Sequence, residues 1–166
     1  VRDVIPFGIA HGNRSILQGL NLIGLRRQNI PNSEITIKNV CINELRIGFY
    51  DSIKEMGGNV KFINKQDICG DTTADIKVKY SNLKGISVSP KRVPTMIDEF
   101  PIFCVISCFA DGKTTMNGIQ DLRNKESDRI KEMVDNLKIF GFNVSSSSDS
   151  ITIIGNKSID TSKEII

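Results

Sequence analysis

Two short stretches carry residues able to do chemistry. The first is Ile97-Asp98-Glu99-Phe100-Pro101, adjacent carboxylates ahead of an apolar run. The second is Leu122-Arg123-Asn124-Lys125-Glu126-Ser127-Asp128-Arg129, with five charges in the seven residues 123–129. Lys125 and Arg129 are one helical turn apart. Beside the unpaired N–H groups of a helix start, two such cations form an anion site. Glu126 between them adds a proton donor or acceptor, which equips the cluster for proton transfer on a phosphorylated or carboxylated substrate. A plainer reading stays open, because the helix dipole alone stabilises Asp98, Glu99 and Glu126 at helix N-termini. Glu126 with Arg129 is then an ordinary i,i+3 surface pair. That reading leaves Lys125 and Arg129 wrong-signed for a first turn, at a cost of roughly a few tenths of a kcal/mol unless an anion offsets it.

The elements that position these residues come from the hydrophobic periodicity. Met96 to Ala110 reads as an apolar helix with Asp98 and Glu99 in its first turn and Pro101 just inside it. Asp111-Gly112 turns the chain into a strand over 113–118. A second helix is expected over Lys125 to Phe140, with Ile130, Met133, Val134, Leu137 and Phe140 on one stripe and Gly141 as its cap. Strands at 142–144 and 150–154 then flank a serine-rich turn, Ser145 to Asp149.

An earlier passage has the same plan. Glu34 to Val40 alternates as a half-buried strand. Glu44 to Met56 puts Leu45, Ile47, Phe49, Ile53 and Met56 on one side of a helix that Gly57-Gly58 ends. Strands follow at 59–63, 75–80 and 83–88. The two passages align at a spacing of roughly eighty residues, too long for a solenoid repeat and suited to a duplicated supersecondary unit. The expected fold is α/β of the α+β type, two stacked helix-strand-helix-strand-strand units with mixed sheets. The expected division is a poorly legible segment 1–32, a first unit 33–92, a second unit 93–156 that carries the charged motifs, and a tail 157–166. Within 1–32, Arg14 to Leu25 is apolar enough for a helix, and His11 reads as an exposed loop residue.

Composition narrows the function. The chain has 166 residues, a net charge of +3 and no Trp. Its basic residues are dispersed, so neither a polyanion groove nor a base-stacking surface is expected, and nucleic acid is not an expected partner. Cys41, Cys69, Cys104 and Cys108 lack zinc-site spacing. Cys104 and Cys108 read as buried thiols in an apolar run, which fits a reducing compartment. No segment has the length of a membrane span, so no membrane partner is expected and cytoplasm is the expected location.

The two motifs, with Ile37-Lys38-Asn39-Val40, Arg46-Ile47-Gly48, Glu55-Met56-Gly57 and Phe109-Ala110-Asp111-Gly112, resemble the C-terminal part of the EPSP synthase (3-phosphoshikimate 1-carboxyvinyltransferase) family. The resemblance runs over roughly 33–155. The related UDP-N-acetylglucosamine enolpyruvyl transferases share the fold but not the Lys-Glu-Ser-Asp-Arg run, and are a distant second. The resemblance implies an incomplete inside-out α/β barrel. It also implies transfer of the enolpyruvyl group of phosphoenolpyruvate to shikimate 3-phosphate in the shikimate pathway of aromatic amino acid biosynthesis. By motif, Asp98 contacts the shikimate hydroxyls and helps remove the attacking proton, and Glu126 moves a proton at the enolpyruvyl methylene carbon. Lys125 touches shikimate 3-phosphate, Arg129 holds phosphoenolpyruvate, and no metal or organic cofactor is implied. The family's N-terminal domain and late catalytic motifs have no counterpart here. The chain is therefore expected to be a fragment, inactive alone, that needs a complementing N-terminal domain or self-associates. The alternative is a non-catalytic remnant or interaction domain of the same fold.

Overall fold

The computed structural model describes residues 2–5, 33–68, 70–124 and 127–156. The helix expected at Arg14 to Leu25, His11 and Cys69 lie outside the described residues.

Two four-stranded sheets organise the chain. In the first, β1 (Arg2–Ile5), β2 (Glu34–Cys41), β3 (Asn59–Ile68) and β4 (Asp71–Lys79) stand in the order β1-β2-β4-β3. In the second, β5 (Ser87–Val88), β6 (Gly112–Asn117), β7 (Asn143–Ser146) and β8 (Ser150–Gly155) stand in the order β5-β6-β8-β7. Each sheet has one parallel pair, β1 with β2 or β5 with β6, and two antiparallel pairs. The duplicated plan and its mixed sheets are thus present in the backbone pairing. Sheet membership changes between Lys79 and Ser87, ahead of the 92/93 division expected from sequence.

Helices cover the sheets where the apolar stripes require it. Helix α1 (Gly48–Glu55) buries Phe49, Tyr50, Ser52 and Ile53, and Gly57 closes its end at φ 89°. The helix expected from Glu44 is broken at Ile47. Glu44–Arg46 forms a separate 3-10 turn, capped by Asn43, whose side chain accepts from the Leu45 N–H at 2.9 Å. Leu45, expected on the buried stripe, is 74% exposed because it rides on that turn. Helix α2 (Phe100–Cys108) is apolar all round and buried on nearly every side. Helix α3 (Arg129–Ile139) buries Ile130, Val134 and Leu137, while Phe140, just past its end, is half-exposed. The strand expected over 83–88 is a bridge at Lys84 followed by β5, all against the segment that begins at Asp111. At Gly85 a Cβ would fall 2.3 Å from the Lys113 carbonyl oxygen, an approach that only glycine permits.

The first sheet is shaped by two bulges held to one carboxylate. β2 shifts register between Ile37 and Val40, and β3 between Ile63 and Gln66. Asn39 and Asn64, at φ 55° and 52°, occupy the left-handed region there, which asparagine tolerates better than most residues. Asp75 on β4 stands between them. It accepts the Asn39 backbone N–H at 3.1 Å and the Asn64 side-chain amide at 2.8 Å. Replacing it with alanine removes the shared acceptor of two hydrogen bonds, a loss of about 1–3 kcal/mol. Asp75→Ala is expected to lower the urea midpoint accordingly, and Asp75→Asn, which keeps an acceptor for Asn39, to lower it by less than half as much.

Candidate functional site

Both motifs emerge from one edge of the second sheet. β5 and β6 are parallel, so the chain leaves both strands at the same end. A 3-10 segment, Pro90–Glu99, follows β5, and a loop with a 3-10 turn at Gln120–Leu122 follows β6. The two connections touch, since a Cβ on Gly118 would stand 2.9 Å from the Pro90 Cβ. The turn after β2 reaches the other end of the 3-10 segment, where the Arg46 guanidinium donates from Nη1 to Asp98 Oδ2 at 3.1 Å.

Asp98 and Glu99 close the 3-10 segment rather than opening a long helix at Met96. Met96 itself has non-helical angles (φ −145°, ψ 20°), and α2 begins at Phe100, with Pro101 in its first turn where a missing N–H costs nothing. The two acids part company there. Asp98 is exposed against Arg46, while Glu99 is 8% exposed. Burial pushes the Glu99 carboxyl up, and the Asp98 charge adds to this against the opposing pull of its own backbone and of Arg46. Nearby, the buried Tyr50 hydroxyl has no hydrogen-bond partner among the described residues. Its phenol is pushed up first by burial and then by the charge of Glu99. Tyr50 is wedged edge-on against Phe49 and Phe62, with ring centres 5.7 and 5.4 Å away.

Arg129 is the first residue of α3, half-buried, and forms no ion pair among the described residues. Asp128 before it caps the helix by accepting the Lys131 N–H at 2.9 Å. That bond, then Arg123, whose Nη1 stands 2.7 Å from Asp128 Oδ2, hold the Asp128 carboxyl below its ordinary range. Arg123 also donates from Nε to the Ser148 carbonyl at 2.8 Å and to the Ser147 carbonyl, tying the loop before α3 to the β7–β8 turn. The described helix begins at Arg129 and not at Lys125. Lys125 and Glu126 lie outside the described residues. Cys104 and Cys108 are buried free thiols as expected, and burial pushes the Cys108 thiol up to about 12.

Arg46 and Arg123 are the site neighbours that motif reading passed over. Arg46 stands in one of the resembling motifs, but nothing in that motif points to a partner 52 residues away. Glu99 offers a test by pH. Its folded value is raised above the ordinary 4.5, so the folded state binds this proton more tightly than the unfolded chain. Its stabilising share is therefore complete below that value and is lost as pH rises through the folded one. Glu99→Gln removes this loss. Denaturant midpoints of the variant and the parent chain are expected to diverge, in favour of the variant, as pH climbs from about 4 to 8.

Comparison with known proteins gives the family. The EPSP synthase (3-phosphoshikimate 1-carboxyvinyltransferase) family model matches residues 29–164. A curated 3-phosphoshikimate 1-carboxyvinyltransferase from Zymomonas mobilis is 43% identical over 126 residues, which cover 76% of this chain and 28% of that protein. One from Aquifex aeolicus is 45% identical over 130 residues, 78% of this chain and 30% of that protein. Among solved structures, an EPSP synthase from Acinetobacter baumannii superposes with a TM-score of 0.73 at 38% identity, over 75% of this chain and 28% of that one. The chain thus spans under a third of the length of the relatives it matches. A second family model, described as Udp N-acetylglucosamine O-acyltransferase, Domain 2, matches residues 3–43. The 29–164 match takes in both charged motifs, the two helices that carry them and all strands but β1, and by it the chain belongs to the EPSP synthase family.

Proposed function

We propose that this chain supplies one wall of an enolpyruvyl transfer site of the EPSP synthase type. The supporting observation is that the segments leading to Asp98 and to Arg129 leave the same end of parallel β5 and β6 and touch at their starts, Pro90 and Gly118. In this reading Asp98 contacts the shikimate hydroxyls and takes the proton from the attacking 5-hydroxyl. The hydroxyl oxygen bonds to the central carbon of phosphoenolpyruvate as Glu126 protonates its methylene carbon. Elimination then breaks the carbon–phosphate ester bond. Inorganic phosphate leaves, and Glu126 takes a proton back from the methyl group. Lys125 holds the 3-phosphate of shikimate, and Arg129 holds the phosphoenolpyruvate anion. These charges act by fixed placement, needing no metal or organic cofactor.

Because the chain spans 28% of the Zymomonas relative, we propose that it is inactive by itself and acts with a complementing piece of the enzyme. The alternative, a non-catalytic remnant of the same fold, rests on the same coverage. Self-association is the further expectation, since Ile139 and Phe140 stand together at the end of α3, 80% and 51% exposed. Among the described residues no helix is long and apolar enough to cross a membrane, and we place the chain in the cytoplasm.

Phosphate release with phosphoenolpyruvate and shikimate 3-phosphate tests the reading. The chain alone is expected to give none. Mixed with the remaining portion of a related EPSP synthase it is expected to give turnover, which Glu126→Gln and Asp98→Asn each reduce by about 10²-fold or more. Turnover indifferent to both substitutions would sink the assignment, and no turnover in any combination would favour the remnant.

A further inference from the structure

We propose that Arg46, from the first unit, is a positioning residue that sets the direction of the Asp98 carboxylate. The inference rests on the reading of Asp98 as the group that meets the substrate hydroxyls. Three contacts clamp the Pro90–Glu99 segment against the first unit. Near its start, Arg92 Nη1 pairs with Glu55 and donates to Ser52 Oγ at 3.4 Å. In its middle, Thr95 packs so tightly on α1 that a Cβ on Gly48 would lie 2.0 Å from its Oγ1. At its end, Arg46 holds Asp98 Oδ2 at 3.1 Å. Arg46 is itself fixed, because its backbone N–H donates to the Asn43 carbonyl at 2.8 Å in a turn that Asn43 also caps.

This arrangement answers a problem of neighbouring charge. Asp98 and Glu99 are adjacent acids, and Glu99 is turned into the core. Arg46 is the cation that bears on both, paired with one and lowering the other. Gripping Oδ2 fixes the plane of the Asp98 carboxylate and so the direction of Oδ1. An ion pair with side chains 63% and 45% exposed contributes little to stability, roughly 0–1 kcal/mol. Its effect is therefore expected in orientation, where small misplacements weigh heavily.

The test uses the full chain with Arg46→Gln, Arg46→Lys, Asp98→Asn and the Gln–Asn double variant. Three-bond side-chain couplings should show one χ1 rotamer for Asp98 in the parent chain, averaged values in Arg46→Gln and a single rotamer again in Arg46→Lys. The unfolding midpoint should stay essentially fixed throughout. Shikimate 3-phosphate titrated into the same samples should bind about tenfold more weakly to Arg46→Gln. The double variant should bind no more weakly than Asp98→Asn alone. An Asp98 side chain already averaged in the parent, or unchanged in Arg46→Gln, overturns the proposal. Binding that Asp98→Asn weakens and Arg46→Gln does not also overturns it. If shikimate 3-phosphate does not bind the parent chain, the couplings alone judge Arg46, and the reading of Asp98 is judged by turnover with the complementing piece.

A separate observation carries a second inference. In the second unit the parallel edge strand β5 lies inside the EPSP synthase match, which begins at residue 29. In the first unit the same sheet position is taken by β1, which lies outside that match and mostly inside the one to the acyltransferase family, residues 3–43. We infer that a segment similar to a different family has been recruited as the edge strand, pairing Arg2 through Ile5 with Glu34 through Ile37. Parallel pairing makes β2 an interior strand, so both alternating sets of its backbone N–H groups over 34–37 should be slow in hydrogen exchange. Val4→Pro removes a donor from β1 and is expected to speed exchange of the set facing away from β4 at least about tenfold, leaving the other set protected. An outward set that exchanges freely in the unsubstituted chain would show β2 to be an edge and overturn the inference.

Discussion

Helix α2 has almost no solvent side. Phe100, Ile102, Phe103, Cys104, Ile106 and Cys108 are all buried, Pro101 in its first turn is exposed, and a helix apolar all round must be covered nearly all round. The second sheet and α3 cover part of it, and the Pro90–Glu99 segment leads into it. Its N-terminal end therefore has to be entered from the surface by a short, stiff stretch. Pro90, Pro94 and Pro101 suit that stretch because each restricts the backbone without demanding a hydrogen bond. The acids at the end of the stretch are fixed by this burial. Glu99 follows the chain inward, while Asp98 stays at the rim.

The same segment is the seam between the two units. Its contacts with α1 run through Ser52, Glu55 and Gly48, and Lys84 beyond the first sheet donates to the Met56 carbonyl at 2.8 Å. One continuous core includes Phe49, Met56 and Ile76 of the first unit with Phe100, Met116 and Ile153 of the second. A duplicated chain joined this way keeps its strand order and differs most in its loops. The turn after β2 brings one arginine to the rim, and the loop after β6 brings Arg123, Asp128 and Arg129. Divergence also reaches the strands, since the two bulges of the first sheet have no counterpart in the second.

Much of this was legible in the residues because each strand or helix reports its own burial. The alternation of Glu34 to Val40 and the stripe of Ile130, Val134 and Leu137 needed no partner to be read. Elements whose form depends on distant contacts were not legible. The helix expected from Glu44 breaks at Ile47 because Asn43 caps a 3-10 turn and Gly48 must admit Thr95, neither of which periodicity records. The helix expected from Met96 begins four residues late for a related reason, since the segment ahead of it is shaped by α1. Arg46 carries no local signal of its partner, Asp98. The opening resisted reading for a different cause: the EPSP synthase match begins only at residue 29, and the match that covers residues 3–28 is to another family.

Placing an acid at a rim and its neighbour in the core has a consequence for how such a site is kept. A buried carboxyl with a raised proton affinity costs stability at neutral pH. Moving Glu99 outward would relieve that cost. It would also set two exposed carboxylates side by side against a single guanidinium, and Asp98 would share its partner. Burial of Glu99 thus keeps Arg46 committed to Asp98. The apolar helix that drags Glu99 inward and the arginine that holds Asp98 outward act on adjacent residues in opposite directions. Their opposition leaves the rim acid with an ion-pair partner of its own.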